Sequence, residues 1–127
     1  MTSTYSPELH SLAKLGDSIL NCVVSAALSL ISGKPVGVKV SDKTLRREIA
    51  KLRISLKPRV PREDLAEALV AYIWLNGVQI DELIEKTVSM SEKADIGEVT
   101  RCLLRYCLEQ AVKTKQGKEF LNHYMEF

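Results

Sequence analysis

The chain has 127 residues, of which 46% are hydrophobic and 27% are charged, and these values are typical of one globular domain with a hydrophobic core. Its first residues, MTSTYSPELH, contain neither a basic nor an apolar segment, so we expect no secretion signal. Its most apolar stretch, residues 19–31, is too short for a membrane span. Three cysteines without a CxxC pair leave one over from any disulfide scheme, which predicts buried free thiols in a reducing cytoplasm.

The net charge of +2 is unevenly distributed along the sequence. Residues 1–33 carry one basic and two acidic side chains, residues 34–62 carry ten basic and two acidic ones, and residues 63–127 carry seven basic and twelve acidic ones. A segment with a net charge of +8 therefore lies between two acidic flanks. Such a segment indicates a polyanion as the binding partner.

Helix start and stop signals predict a succession of helices. Ser6-Pro7-Glu8 combines a capping serine, a proline and an acid in the first turn, and Gly33 is the expected end of that first helix. Ser41 with Asp42 caps a second helix, and Pro61 leads into a third after a connector that contains two prolines. The predicted helices cover about residues 7–32, 42–54, 64–75, 80–91, 96–115 and, after Gly117, 118–125. No segment alternates between apolar and polar residues, so the predicted fold class is all-α.

The first predicted helix is apolar on most sides, which is typical of a core helix. Its polar residues form one stripe within about 80° of arc, composed of His10, Lys14, Asp17, Asn21 and Ser25. In one interpretation the stripe is a solvent-facing edge, with Lys14 and Asp17 as a weak i,i+3 pair. In the other it lines a cleft, where Asp17 is a metal ligand or a general base.

The third predicted helix carries Asp64 and Glu67 three residues apart, about 60° from each other on one face. If this helix packs beside the first, Asp17, Asp64 and Glu67 converge on a pocket lined by carboxylate oxygens. Such a pocket suits Mg²⁺ or Mn²⁺. Acids in the first turn of a helix are also ordinary partners of the helix dipole, so the DxxE spacing alone is weak evidence.

Two segments, LAKLGDSIL at 12–20 and DLAEALVAYIWLNG at 64–77, resemble the catalytic helices of the ribonuclease III family. Their order and separation agree with that family, as does the intervening helix VSDKTLRREIAKL, and the resemblance covers roughly residues 8–90. It implies the all-α endonuclease-domain fold over residues 1–127, a homodimer, and no membrane or small-molecule cofactor. The implied activity is hydrolysis of double-stranded or structured RNA to 5′-phosphate and 3′-hydroxyl ends, with Mg²⁺, or Mn²⁺, as the cofactor.

The resemblance also assigns residues to roles. Asp17, Asp64 and Glu67 match the family's metal-binding catalytic acids. Gly16 would allow a close backbone approach, either to the other catalytic helix or across the dimer axis. The chain departs from the family at Ala13, where full-length members usually have a glutamate, and we expect no double-stranded-RNA-binding domain of the kind that normally follows. In both respects it most resembles the short, mini-type and archaeal members.

The basic segment supplies the candidates for phosphate contacts. Duplex RNA is recognised mainly through its backbone shape and 2′-hydroxyls, so a basic surface without base-reading groups is sufficient. The better candidates share the second predicted helix and are Lys43, Arg46, Arg47 and Lys51. A solvated helix face would show the same run of charges.

Two other functions stay open. The segment SDKTLRREIAKL also resembles the recognition helix of a winged helix-turn-helix DNA-binding module, but residues 33–40 cannot form the short helix that should precede it, and Asp64 and Glu67 would have no role. A catalytically impaired family member that binds duplex RNA or acts as a scaffold is a further alternative, suggested by Ala13.

The C-terminal half is interpreted as structural. Val99, Cys102, Leu103, Tyr106 and Ala111 have the spacing of a packing face. For association, we expect the exposed apolar surface of the first helix to be covered by a second copy in a twofold dimer.

Overall fold

The computed structural model describes residues 8–126, and it confirms the all-α class for them. Six helices pack around one core, and two strands of two residues each form an antiparallel pair. In chain order the elements are α1 (Leu9–Ser32), α2 (Asp42–Ala50), β1 (Ser55–Leu56), α3 (Arg62–Leu75), α4 (Ile80–Met90), α5 (Ile96–Val112), α6 (Lys115–Tyr124) and β2 (Met125–Glu126). The predicted helix start at Ser6-Pro7 lies outside the described residues.

α1 is the central helix of the fold. It is 24 residues long, with a mean hydropathy of 1.6 over an 18-residue window, so by length and composition alone it could cross a membrane. The expectation drawn from residues 19–31 underestimated its apolar length. In the structure, 39% of that window is buried, and Leu12, Leu20 and Val23 are fully buried where α1 packs against α3, α4 and α5. α1 therefore packs one side into the core, and its other residues are partly or fully exposed.

Gly16 is the point where α1 and α3 meet most closely. A Cβ atom added at Gly16 would lie 1.7 Å from the backbone carbonyl oxygen of Glu67 and 2.4 Å from its carbonyl carbon. No side chain fits in that space, so glycine is required there. Of the two roles suggested for Gly16, the structure shows the close backbone approach to α3.

An extended segment before α2 is attached lengthwise to α1. The backbone N–H groups of Val36 and Val38 donate to the Ser29 and Ser25 hydroxyls, both at 2.9 Å, and that of Val40 donates to Asn21 Oδ1 at 2.8 Å. Four residues of a helix rise about 6.0 Å, which is close to the 6.6 Å that two residues of extended chain span. A side chain on each successive turn of α1 can therefore accept a hydrogen bond from every second N–H of the extended segment. The Asn21 and Ser25 part of the polar stripe therefore binds a loop, which neither interpretation anticipated.

Several helix boundaries differ from the prediction. α2 ends at Ala50 instead of about 54, because the chain turns there, with Arg53 at a φ of 58°, to enter β1. The pairing of β1 with β2 joins Ser55 to Glu126 and Leu56 to Met125. Strands of two residues show no alternating pattern, so they were missed.

The end of α5 also differs from the prediction. α5 stops at Val112, and α6 begins at Lys115, where the Thr114 hydroxyl caps it by accepting from the N–H of Gly117 at 2.9 Å. Gly117 therefore lies inside α6. It is a contact point, since an added Cβ would lie 1.9 Å from the carbonyl oxygen of Ala111.

The predicted packing face of α5 is buried as expected, as are Cys102 and Cys107. All three cysteines are free, but Cys22 is exposed on α1, which corrects the prediction that it is buried.

Candidate active site

The contact between α1 and α3 creates a cavity of about 280 Å³ beside Gly16. Three of its residues, Asp17, Asp64 and Glu67, are the acids singled out in the sequence, so the structure brings all three to one place. The remaining lining residues are His10, Ala13, Lys14, Lys39 and Asp42. Ala13, where the family usually has a glutamate, is thus part of the same wall.

Asp17 is the ionised member of the acidic group. Its carboxylate accepts hydrogen bonds from Asn21 Nδ2 at 3.0 Å and from Lys39 Nζ at 3.3 and 3.5 Å. A hydrogen bond from Glu67 is the largest influence that holds the pKa of Asp17 below its usual value, and Lys39 and Asn21 add to it. The ion pair of Asp17 is made with Lys39, whereas the sequence suggested Lys14.

Glu67 is the protonated member. Its side chain is buried, and burial, the hydrogen bond to Asp17 and the charges of Asp17, Asp42 and Asp64 together raise its pKa to about 8. At neutral pH and without a bound cation, Glu67 is therefore protonated, and its hydroxyl donates a hydrogen bond to the Asp17 carboxylate. A cation with two positive charges in the cavity would favour release of that proton.

Asp64 and Asp42 complete the carboxylates of the cavity. Burial is the main reason that the pKa of Asp64 is raised, and the charges of Glu63 and Asp42 add to it while His10 opposes it. Asp42 was missed as a site residue because the first turn of α2 was interpreted only as a helix start. The Ser41 side chain caps α2 by accepting from the N–H of Thr44 at 3.1 Å, so the cap does not need Asp42.

The raised pKa of Glu67 predicts how stability depends on pH in the metal-free protein. The folded protein keeps this proton up to about pH 8, whereas an unfolded chain loses it near pH 4.5. The protonated Glu67 therefore contributes fully to the free energy of unfolding below pH 4.5, and this contribution is lost as the pH rises to 8. We expect the thermal midpoint, measured in a chelator, to fall from pH 5.5 to 8 more steeply for the wild type than for Glu67→Gln. If the thermal midpoints of the two proteins fell equally with pH, the raised pKa of Glu67 would be contradicted.

The four basic residues proposed for RNA contact lie on or just after α2 and are partly engaged with acids. Arg46 pairs with Glu63 at 2.8 Å, while Arg47 and Lys51 pair with Glu48 at 3.0 and 3.2 Å. Each of these three cationic side chains remains half exposed, and Lys43 is exposed in the first turn of α2. These four side chains therefore expose positive charge to solvent, on or next to the regular backbone of α2.

Glu48 holds part of this basic surface in place. It is buried, and it also pairs with Arg101 of α5 at 2.6 Å. Burial favours protonation of Glu48, but the hydrogen bonds from Arg47, Lys51 and Arg101 outweigh it and lower its pKa. The contact between Glu48 and Lys51 has the i,i+3 spacing of neighbours on a helix. Arg101 is 53 residues further along the chain, so its contact with Glu48 cannot be inferred from spacing.

The donor chemistry of the cavity fits a hard divalent cation. Its carboxylate oxygens are the ligands that Mg²⁺ and Mn²⁺ prefer, and a lysine ammonium already lies against Asp17. Among residues 8–126, no group of three or more His, Cys, Asp or Glu side chains is gathered closely enough to hold a metal ion. Metal binding therefore requires the carboxylates to reorient.

The fold and the cavity define an all-helical domain. Its two core helices, α1 and α3, share an acidic site, and α2, which lies between them in the sequence, carries a basic surface. A family model described as Ribonuclease III matches residues 10–115, which include α1 to α5. The chain belongs to the ribonuclease III family. The match extends beyond the 8–90 region in which the motifs were found. No curated protein is similar enough to be matched to this chain.

In the helix-turn-helix alternative, a short helix should precede α2. The structure has the segment attached to α1 there instead, so that arrangement is not formed.

Proposed function

We propose that the protein is a metal-dependent endoribonuclease that cleaves double-stranded or structured RNA to 5′-phosphate and 3′-hydroxyl ends. The observation that carries this proposal is the convergence of Asp17, Asp64 and Glu67 on one cavity, in a chain of the ribonuclease III family. These types of residues, brought together from two helices, suit the hydrolysis of a phosphodiester with a divalent cation.

Asp17, Asp64 and Glu67 would hold Mg²⁺, or Mn²⁺, in the cavity. The bound cation would activate the attacking water and stabilise the leaving oxygen. Asp17 is ionised and partly exposed, so an entering cation could reach it from solvent. Glu67 would be the second ligand, in its ionised form. Asp42 adds a fourth carboxylate to a cavity that Ala13 leaves short by one.

The basic side chains of α2 would position the duplex. Lys43, Arg46, Arg47 and Lys51 would contact phosphates, which is sufficient for recognition of an A-form helix by shape. α2 begins at Asp42, which lines the cavity, so the same helix links the basic surface to the acidic site.

A homodimer would give the duplex a continuous binding surface. The side of α1 away from the core forms, with α4, an open apolar groove of about 610 Å³. Leu30 in this groove is 66% exposed, and Ala26, Ile84 and Val88 are among its neighbours. We expect a second copy to cover this region, and sedimentation should show a dimer at micromolar concentration. A monomer under those conditions would contradict the proposed dimer.

The function is tested by incubating the protein with long duplex RNA and with single-stranded RNA of the same sequence, in Mg²⁺, Mn²⁺ or a chelator. We expect cleavage of the duplex in either ion and none in the chelator, with 5′ ends that a phosphate-dependent exonuclease degrades. Intact duplex in both ions would overturn the proposal.

A second candidate function is binding of duplex RNA without cleavage. It is favoured by Ala13, which provides no metal ligand where the family usually has a glutamate. Retention of duplex RNA on the protein without metal-dependent cleavage would support it, and preference for duplex DNA would overturn both functions.

A further inference from the structure

Lys39 forms an ion pair with an acid of the cavity. Its Nζ lies 3.3 Å from Oδ2 and 3.5 Å from Oδ1 of Asp17, so the ammonium faces both oxygens of that carboxylate. The Lys39 side chain is 76% exposed and that of Asp17 is 37% exposed. The ammonium therefore occupies the solvent-facing side of the carboxylate that we propose as the central metal ligand.

The backbone of Lys39 is fixed, but its side chain is not. The residues on either side are held to α1, because Val38 donates to Ser25 and Val40 donates to Asn21. Asn21 in turn donates to Asp17 at 3.0 Å, so the anchor of the loop is also a contact of the carboxylate. The Lys39 chain thus starts from a fixed Cα at the edge of the cavity and can move its charge over several ångströms.

The contact between Lys39 and Asp17 is readily replaced. An exposed ion pair of this kind contributes little to stability, since water and salt screen it and the lysine loses conformational freedom in forming it. A divalent cation brings twice the charge to the same oxygens, and it repels an ammonium at that distance. Lysine and metal would therefore exclude each other at Asp17.

We propose that Lys39 is the resident counter-ion of the metal-free site, that the divalent cation displaces it from Asp17, and that it then binds a phosphate of the RNA beside the metal. This proposal rests on the proposed function, because it takes Asp17 as a metal ligand. Lys39 is then a positioning residue for the substrate, whose contact with RNA is available only when the metal is bound. Metal binding and RNA binding are coupled through one side chain.

The first test is the affinity for Mn²⁺, measured by isothermal titration with Lys39→Met and, as a matched control, Lys14→Met. Both lysines line the cavity, so both variants remove one positive charge from it. We expect Lys39→Met to bind Mn²⁺ about three- to tenfold more tightly than the wild type, and Lys14→Met to differ from it by less than about twofold. Equal effects would show that only the total charge matters, which overturns the proposal. Thermal midpoints would verify that both variants fold.

The second test is the affinity for a short RNA duplex, measured by fluorescence anisotropy in Ca²⁺ and in a chelator, with the integrity of the duplex checked on a gel. We expect Ca²⁺ to tighten binding for the wild type and for Lys14→Met, and to do so much less for Lys39→Met. If Ca²⁺ tightened the RNA binding of Lys39→Met as much as that of the wild type, the proposed phosphate contact would be overturned. A wild type that binds no Mn²⁺ would overturn the proposed function itself, whereas normal Mn²⁺ binding with equal lysine variants would overturn only the role of Lys39.

Discussion

Replacing Asp17 with asparagine is expected to lower the rate of metal-dependent cleavage of duplex RNA by on the order of 100-fold or more. Asparagine keeps the shape of the side chain and can still accept from Lys39 and Asn21, but it lacks the charge that binds a divalent cation. Glu67→Gln should have a comparable effect, because an amide cannot lose a proton to become a ligand. Single-turnover cleavage of a labelled duplex in Mg²⁺ measures both.

Two further variants test whether the loss of cleavage is specific to residues of the cavity. Asp42→Asn removes the carboxylate that no motif pointed to, and we expect a smaller loss, about tenfold, of the kind seen for groups that support a metal site. Glu119→Gln, at an exposed acid of α6 that does not line this cavity, should leave the rate unchanged. Full activity in Asp17→Asn would contradict the assignment of the site.

Replacing Gly16 with alanine is expected to be strongly destabilising for a single added methyl group. The added Cβ would lie 1.7 Å from a backbone oxygen of α3, and neither helix can move without opening the core around Leu20 and Leu69. We expect a loss of about 3 kcal/mol in the free energy of unfolding. The thermal midpoint should then fall by roughly 10 °C. Chemical denaturation and calorimetry measure the two quantities.

Gly37 provides the matched control for this experiment. A Cβ added there would meet no atom within 4 Å, so Gly37→Ala should be neutral or slightly stabilising, by less than about 1 kcal/mol. If Gly16→Ala and Gly37→Ala had the same stability, the close approach of α1 and α3 would not be a constraint on the fold.

The sequence predicted the helices and the meeting of the three acids because both depend on regular spacing. Asp17 lies on a helix with a clear apolar period, and Asp64 and Glu67 share one face of the next core helix. Two helices of this kind pack side by side, so their acids can be placed without knowing the rest of the chain.

The contribution of the loop could not be predicted, because it has no period of its own. Lys39 and Asp42 reach the cavity through hydrogen bonds between backbone N–H groups and the side chains of Asn21, Ser25 and Ser29. Serines and an asparagine on a helix are equally compatible with exposure to water. The pairing of β1 with β2 was hidden for a related reason, since two residues are too few to show alternation.

The attachment of residues 36–40 to α1 also restricts how this chain can vary. Because every second N–H of the loop meets one turn of the helix, inserting a single residue between Val36 and Val40 would present the wrong N–H groups to Ser25 and Asn21. An insertion of two residues would restore the alternation but would shift Lys39 by one turn along α1. This segment, although it contains a glycine, is therefore constrained in length much as a strand in a sheet is.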